Sequence, residues 1–292
     1  MYKLLHFFIL GVYFTFDNVL NELESISNSS GVLFYKKYGS GTKVLIAFHG
    51  YNQRHDVFLP VVELVDREYT VYSFDIFFHE NSLWHHNDAP ITKEQWKAFF
   101  MLFLKKEGIT NFGVIGYSMG GKLALATAEM FGGTCISLCL LAPDGLKINR
   151  WYKFAVKNKL GNRIFRNVVN KPSTFFGILR ILRSSKLVPV KLINFAEESM
   201  KTKTERERIY KTWIAFQEFF TSPTTLLELN QDHETAIYIF LGRNDLIVKP
   251  KSVINKFENI NGINIHVLNS GHGRLIEEFS RYVKTYDQVS IF

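Results

Sequence analysis

Short apolar runs recur along the chain, and longer stretches with a helical spacing of apolar residues lie between most of them. The runs predict buried β-strands at residues 43–48, 70–74, 111–115, 134–142, 236–241 and 263–268, and a further strand starts at Val32. Residues 121–130, which are small and apolar, predict a helix soon after the strand at 111–115. Strands that alternate with helices require a parallel sheet with helical crossovers. The pattern therefore predicts an α/β fold.

This alternation stops between residues 146 and 222, where the sequence becomes helical, aromatic and basic. We expect residues 1–145 and 223–292 to form the core and 146–222 to form a helical insertion. Thr204 and Glu207 are placed to form a capping box at the start of one of its helices. That helix carries an apolar stripe of Ile209, Trp213, Phe216 and Phe220. Such stripes usually pack a helix onto its neighbours, and Trp213 and Phe216 are also candidates for lining a substrate pocket.

Charge is distributed unevenly along the 292 residues. Residues 147–218 contain 17 lysines and arginines and 5 glutamates, a net charge of +12, whereas the whole chain carries +8. The rest of the chain therefore carries −4. An ordinary solvated surface would explain some of this, but so basic a segment also indicates an acidic partner, either a carrier-bound acyl group, a CoA ester or an anionic lipid surface. We expect no nucleic-acid partner, because no binding module accompanies the charge.

Cys135 and Cys139 are the only cysteines, and both lie in one predicted strand. Four residues of strand separate them by roughly 13 Å, which is too far for a disulfide, and two unbridged thiols favour a reducing, cytoplasmic compartment. The apolar residues 4–14 are too few to span a bilayer, and no small-residue cleavage site follows them. We expect a buried strand or a docked helix there, with peripheral membrane contact as the alternative.

The candidate chemistry starts from Gly116-Tyr117-Ser118-Met119-Gly120, which fits G-x-S-x-G between a predicted strand and a predicted helix. A serine on this tight turn projects its hydroxyl from the end of the sheet, and the glycines leave room for strand and helix to approach each other. The strand–turn–helix context makes Ser118 a candidate nucleophile.

A nucleophilic serine needs a base and an acid that orients the base. His272 follows the strand at 263–268, and Asp245 follows the strand at 236–241, so the chain has the order Ser, Asp, His. Asp144, after the strand at 134–142, is the alternative acid, although its Pro and Gly neighbours favour a turn. We therefore expect Ser118, His272 and Asp245 to form a catalytic triad.

The segment His49-Gly50-Tyr51 follows the strand at 43–48. We expect the backbone N–H groups of Tyr51 and Met119 to form an oxyanion hole, and His49 to bond its own loop, since one triad needs one imidazole. The histidines at positions 79, 85 and 86 lack the spacing of a metal-binding helix, and no metal is expected.

Together these motifs resemble the α/β-hydrolase superfamily, over roughly residues 43–284. The resemblance implies a mostly parallel, eight-stranded sheet with helices on both faces and an inserted helical cap above Ser118. It also implies Ser118 as nucleophile, His272 as base and Asp245 as orienting acid.

The expected function is cleavage of a carboxylic ester or thioester through an acyl-enzyme, without a cofactor, on a small-molecule substrate that is carrier-bound or anionic. The alternatives are a C–C bond hydrolase, an acyltransferase and a small-molecule binding protein on the same frame.

Overall fold

The computed structural model describes residues 23–86, 88–146, 150–286 and 291–292. The element expected at residues 4–14 lies outside these ranges. Within them, nine strands form one sheet. The strands are β1 (Glu24–Asn28), β2 (Gly31–Tyr38), β3 (Lys43–Phe48), β4 (Tyr69–Asp75), β5 (Leu83–Trp84), β6 (Phe112–Tyr117), β7 (Cys135–Leu141), β8 (Ala236–Gly242) and β9 (Ile263–Leu268).

The sheet runs in the order β1-β2-β4-β3-β6-β7-β8-β9, and the two-residue strand β5 pairs with β2. The pairs made by β2 with β1, β4 and β5 are antiparallel, and every pair from β4 to β9 is parallel. The prediction of a mostly parallel α/β sheet is therefore confirmed, with eight strands along its main path and β5 added at β2.

Helices cover the sheet, and six of them lie in the described part of the connection between β7 and β8. They are α1 (Leu59–Val65), α2 (Lys93–Glu107), α3 (Gly120–Met130), α4 (Arg150–Lys157), α5 (Lys159–Asn170), α6 (Ser173–Ser185), α7 (Val190–Ser199), α8 (Lys203–Ala215), α9 (Pro223–Gln231), α10 (Pro250–Phe257) and α11 (Leu275–Tyr286). No helix in the described ranges has both the length and the apolar composition to cross a bilayer.

Both faces of the sheet are buried. In β3, Ile46 and Phe48 belong to a core shared with α2, α3 and α9, whereas Leu45 and Ala47 belong to a second core shared with α1 and α11. Successive side chains of a strand point to opposite faces, so a strand that is covered on both sides is apolar throughout. This explains why the strands appear in the sequence as continuous apolar runs, and it confirms the expected helices on both faces.

Helices α4–α8, which we call the helical insert, lie between β7 and β8. A small core of its own includes Tyr152, Val169 and Tyr210. The insert also reaches the sheet domain, since the Tyr51 hydroxyl donates to the Glu205 carbonyl at 2.9 Å. The boundaries of the predicted core and cap as separate units stay a prediction.

The capping box of α8 lies two residues earlier than the sequence predicted. Thr202 Oγ1 accepts from the Glu205 N–H, and the Glu205 carboxylate accepts from the Thr202 N–H. Two T-x-x-E matches overlap in this segment, and the earlier one starts the helix. The guanidinium of Arg206 is then buried and donates to the carbonyls of residues 169 and 200. The prediction of Thr204 and Glu207 as the box was therefore wrong.

Helix α3 begins close to the backbone at the end of β3, and substitution of Gly120 tests this close contact. A Cβ at Gly120 would lie 2.0 Å from the Phe48 carbonyl oxygen, whereas a Cβ at Gly177, inside α6, would meet nothing within 4 Å. We expect Gly120→Ala to lower the free energy of unfolding by about 3 kcal/mol, because backbone cannot move aside cheaply. Gly177→Ala is the control and should raise it by about 0.5–1 kcal/mol. Chemical denaturation of both variants measures this, and equal stabilities would contradict the close approach.

Candidate active site

Four loops meet at one edge of the sheet. They follow β3, β6, β8 and β9, and neighbouring strands end in step, with Phe48 beside Gly116, Tyr117 beside Leu141 and Gly242 beside Leu268. Because parallel strands present their carboxyl ends at the same edge, side chains far apart in the sequence can meet there.

Ser118 sits on a strained turn between β6 and α3. Its φ is +50°, which is uncommon for a residue other than glycine. Its N–H donates to the Leu141 carbonyl at 2.9 Å, and its own carbonyl accepts from the N–H groups of Gly121 at 2.9 Å and Asp144 at 2.8 Å. A Cβ at Gly116 would lie 2.6 Å from Ala124 Cβ, so the turn requires glycine there. The G-x-S-x-G pattern thus corresponds to a tight strand–turn–helix.

The side chains of Ser118, His272 and Asp245 form a hydrogen-bonded series. His272 Nε2 lies 2.9 Å from Ser118 Oγ, and His272 Nδ1 lies 2.6 Å from Asp245 Oδ2. If Nδ1 carries the proton and donates a hydrogen bond to the carboxylate, Nε2 can accept a hydrogen bond from the serine hydroxyl. Asp245 is buried, His272 is mostly buried and Ser118 is half-buried. The structure therefore brings together the three residues that the sequence singled out.

Backbone groups fix the acid in place. The N–H groups of Ile247 and Val248 donate to Asp245 Oδ1 at 2.7 and 2.9 Å, which leaves Oδ2 for the imidazole. The acid and histidine loops are joined, since the Asn244 N–H donates to the Ser270 carbonyl at 2.9 Å. These supports gave no signal in the sequence, because any residue supplies a backbone N–H.

Tyr117 is a further supporting residue that sequence reasoning missed. Its hydroxyl donates to the His272 carbonyl at 2.7 Å, and the two rings lie 5.3 Å apart. The residue before Ser118 therefore holds the loop that carries the imidazole. Its position inside the G-x-S-x-G motif is the only feature that could have pointed to it.

Asp144 has a different partner. Its carboxylate lies 3.2 Å from the Nζ of Lys122, which is buried. Nζ also lies 4.1 Å from the centre of the Tyr152 ring and 4.5 Å from that of Phe220. Burial lowers the pKa of Lys122, and Asp144 opposes that shift. Asp245, and not Asp144, is thus the acid in contact with the imidazole.

The loop after β3 lies against Ser118 and is held by two buried histidines. His49 Nδ1 lies 2.7 Å from the Gly50 carbonyl, and its Nε2 accepts from the Ile76 N–H at 3.1 Å. Burial lowers the pKa of His49 to about 4, so this imidazole is neutral near pH 7. His79 Nε2 accepts from the N–H of the residue after Tyr51 at 3.0 Å. His49 therefore bonds its own loop, in agreement with the expectation.

The two residues expected to supply oxyanion donors border the serine. Met119 follows Ser118 directly, and Tyr51 follows Gly50, where an added Cβ would lie 3.3 Å from Ser118 Cβ. Within the ranges that the structure describes, no cluster of three or more His, Cys, Asp or Glu side chains forms a candidate metal site.

An open cavity of about 760 Å³ adjoins the imidazole. Asp245, His272 and their loops line it, together with Lys191, Leu192 and Phe195 of α7. A cation of the acid loop, Arg243, is also at the wall. The helical insert therefore contributes side chains to the mouth of the site.

Neither Trp213 nor Phe216 is among the residues that line this cavity. The Trp213 ring packs 4.9 Å from Tyr152 and 5.3 Å from Phe165, in the core of the insert. Phe216 is fully buried and lies 5.8 Å from Phe219 in the main core. Both side chains therefore pack against other aromatic rings, and their role in binding a substrate stays a prediction. The α7 side chains line the cavity, and no motif marked them.

Known proteins share this architecture. A thermophilic esterase from Thermogutta terrifontis superposes with a TM-score of 0.66 at 17% identity, over 91% of this chain and 97% of that one. A hydrolase from Pseudomonas aeruginosa gives a TM-score of 0.67 at 15% identity, over 92% and 98%. At such identities the likeness concerns the fold alone.

One curated relative is the dihydrolipoyllysine-residue acetyltransferase component of the acetoin cleaving system of Cupriavidus necator. It is 29% identical over 111 residues, which are 38% of this chain and 29% of that protein. The chain thus matches less than a third of the length of this relative.

The family model for the alpha/beta hydrolase fold matches residues 43–279, which is most of the chain. That range contains every strand from β3 to β9 and all four loops at the site. The chain therefore belongs to the α/β-hydrolase family.

Proposed function

We propose that the protein is a serine hydrolase that cleaves a carboxylic ester or thioester through an acyl-enzyme intermediate. The observation that carries the proposal is the hydrogen-bonded series from Ser118 Oγ through His272 to Asp245, with both bonds at 2.9 Å or less. An imidazole held between a carboxylate and a hydroxyl can remove the hydroxyl proton as the oxygen attacks a carbonyl.

In the acylation step, His272 Nε2 takes the proton of Ser118, and Oγ bonds to the carbonyl carbon of the substrate. The N–H groups of Tyr51 and Met119 donate to the oxyanion that develops. His272 then gives its proton to the departing alcohol or thiol. The carboxylate of Asp245 stabilises the imidazolium through Oδ2, while its other oxygen accepts two backbone N–H groups that hold it in place.

In the deacylation step, His272 takes a proton from water, which attacks the acyl carbon and releases the acid. Ser118 recovers its proton from the imidazole. This chemistry uses only groups of the chain and needs no cofactor.

The helical insert is proposed to cap the site and bind the substrate. Lys191 and Phe195 of α7 line the same cavity as the acid loop, and Arg243 adds a second cation. A pocket that combines apolar walls with two cations favours an acyl ester with an anionic group. The two unbridged thiols of β7 support a cytoplasmic location for the reaction.

Acyl transfer to an acceptor other than water is the second candidate. The same acyl-enzyme serves both reactions, and the name of the matched Cupriavidus necator protein contains acetyltransferase. Product analysis with and without added alcohols and amines separates the two, since hydrolysis yields the free acid under both conditions.

The first test concerns the nucleophile. We expect Ser118→Ala to abolish ester hydrolysis and fluorophosphonate labelling while the protein stays folded, because Ala removes Oγ alone. Labelling followed by peptide mapping, with circular dichroism for folding, provides the measurement. Ser184→Ala, an exposed serine of α6, is the control and should keep full activity. A fluorophosphonate adduct on any other residue, or turnover by Ser118→Ala, would refute the assignment.

The second test compares the two carboxylates. We expect Asp245→Asn to reduce kcat by about 10³–10⁴-fold with little change in stability, because an amide cannot stabilise the imidazolium. Asp144→Asn should leave kcat near the parent value and lower the free energy of unfolding by about 1 kcal/mol, since it weakens the partner of buried Lys122. Steady-state kinetics and denaturation of both variants measure this. A larger loss of kcat in Asp144→Asn would reverse the assignment.

A further inference from the structure

Exposed apolar side chains concentrate on two helices of the insert and the turn between them. We define the α6–α7 surface by Ile178, Ile181, Leu187, Val190 and Phe195, all of which are exposed. Ile181 retains 69% of its accessible surface and Leu187 81%. Single exposed apolar residues are ordinary, but five within eighteen positions of one helical hairpin indicate a contact surface.

The same segment of the chain also carries exposed cations. Lys171, Arg180, Lys186 and Lys191 are exposed, and among the described residues none of the four has an ion-pair partner. The acidic Glu197 of α7 is neutralised by Arg183 of α6 at 2.5 Å. The α6–α7 surface is therefore both apolar and positively charged.

The α6–α7 surface adjoins the mouth of the active site. Phe195 belongs to it and also lines the cavity, next to Lys191 and Leu192. The same cavity is lined by His272 and Asp245. A partner bound to this surface would thus lie at the opening that leads to the imidazole.

We propose that the α6–α7 surface docks onto an anionic lipid membrane, from which the enzyme takes an acyl ester. The docking deepens the proposed hydrolase function and rests on it. Apolar side chains enter the boundary between headgroups and acyl chains, while lysines and arginines at the rim pair with anionic headgroups. The α6–α7 surface offers both kinds of group side by side.

Other occupants fit less well. A soluble acidic protein would satisfy the cations but gives Ile181 and Leu187 no medium in which to insert. A second copy of the chain, related by a twofold axis, would bring two copies of this positively charged surface together, and like charges repel. The combination of charge and apolar exposure favours an anionic bilayer.

The test is cosedimentation of the full chain with vesicles, using a Ser118→Ala background so that no lipid is hydrolysed. We expect binding to vesicles of phosphatidylcholine with phosphatidylglycerol and weak binding to phosphatidylcholine alone. Ile181→Ser with Leu187→Ser should reduce the partition coefficient about tenfold or more, because two apolar side chains no longer insert. Arg180→Gln with Lys186→Gln should reduce it by a similar factor for anionic vesicles only.

The matched control is Met101→Ser with Leu102→Ser, two exposed apolar residues of α2, which should leave vesicle binding unchanged. In the parent background, the Ile181 and Leu187 variant should hydrolyse a soluble ester normally and a vesicle-borne ester more slowly. Soluble-ester turnover therefore tests the proposed function separately from docking.

Four results would overturn the proposal. Equal binding by the Ile181 and Leu187 variant would place the membrane contact elsewhere, for example at residues 4–14. Equal binding to neutral and anionic vesicles would remove the role of the cations. A dimer that dissociates in the variant, or binding to an acidic carrier protein without vesicle binding, would assign the surface to that partner.

Discussion

The site depends on one strained residue that is held by its neighbours. A non-glycine residue at positive φ costs on the order of 1–3 kcal/mol, and Ser118 keeps this conformation because its N–H and its carbonyl are both bonded to the segment from Leu141 to Asp144. The end of β7 therefore fixes the turn after β6. Ala142, also at positive φ, donates its N–H to the Phe240 carbonyl of β8 at 2.8 Å. Hydrogen bonds therefore connect the serine turn after β6 to the end of β7, and the end of β7 to β8, the strand that Asp245 follows.

These hydrogen bonds also explain why Asp144, which is nearer to Ser118 in the sequence, is not the acid that contacts the imidazole. The N–H of Asp144 already supports the carbonyl of Ser118, and its carboxylate is the anionic partner of Lys122. A buried ammonium without a counter-charge would be costly, so Asp144 is needed where it is. The acid that reaches the imidazole comes from the next strand, where two backbone N–H groups orient Asp245 and no described lysine or arginine forms an ion pair with it. Asp144 and Asp245 follow adjacent strands but have different partners, which are Lys122 for Asp144 and His272 for Asp245.

The sequence predicted best where a pattern has one structural solution. An apolar strand inside the sheet, such as β3, is covered on both faces, and the predicted ends of β3 and of the edge strand β9 match the structure. It failed where a pattern has several solutions. The apolar stripe that begins on α8 predicts that Trp213 and Phe216 pack against other groups, but not whether those groups belong to a pocket or to another helix. Two overlapping T-x-x-E matches also competed to start α8. The supports of Asp245 could not be predicted, because backbone donors leave no trace in residue type.

The charge of the insert can also be interpreted only with the structure. The count of basic residues shows only that the cations are local, whereas the exposure of Ile181 and Leu187 shows that apolar groups lie among them. The two kinds of group act over different distances. Electrostatic attraction extends about 8 Å at physiological ionic strength, and apolar insertion requires contact. Cations on the insert would therefore turn the α6–α7 surface toward an anionic bilayer first, and insertion would then hold it there. Since Phe195 joins that surface to the cavity, orientation and access to the site would be set by the same helix.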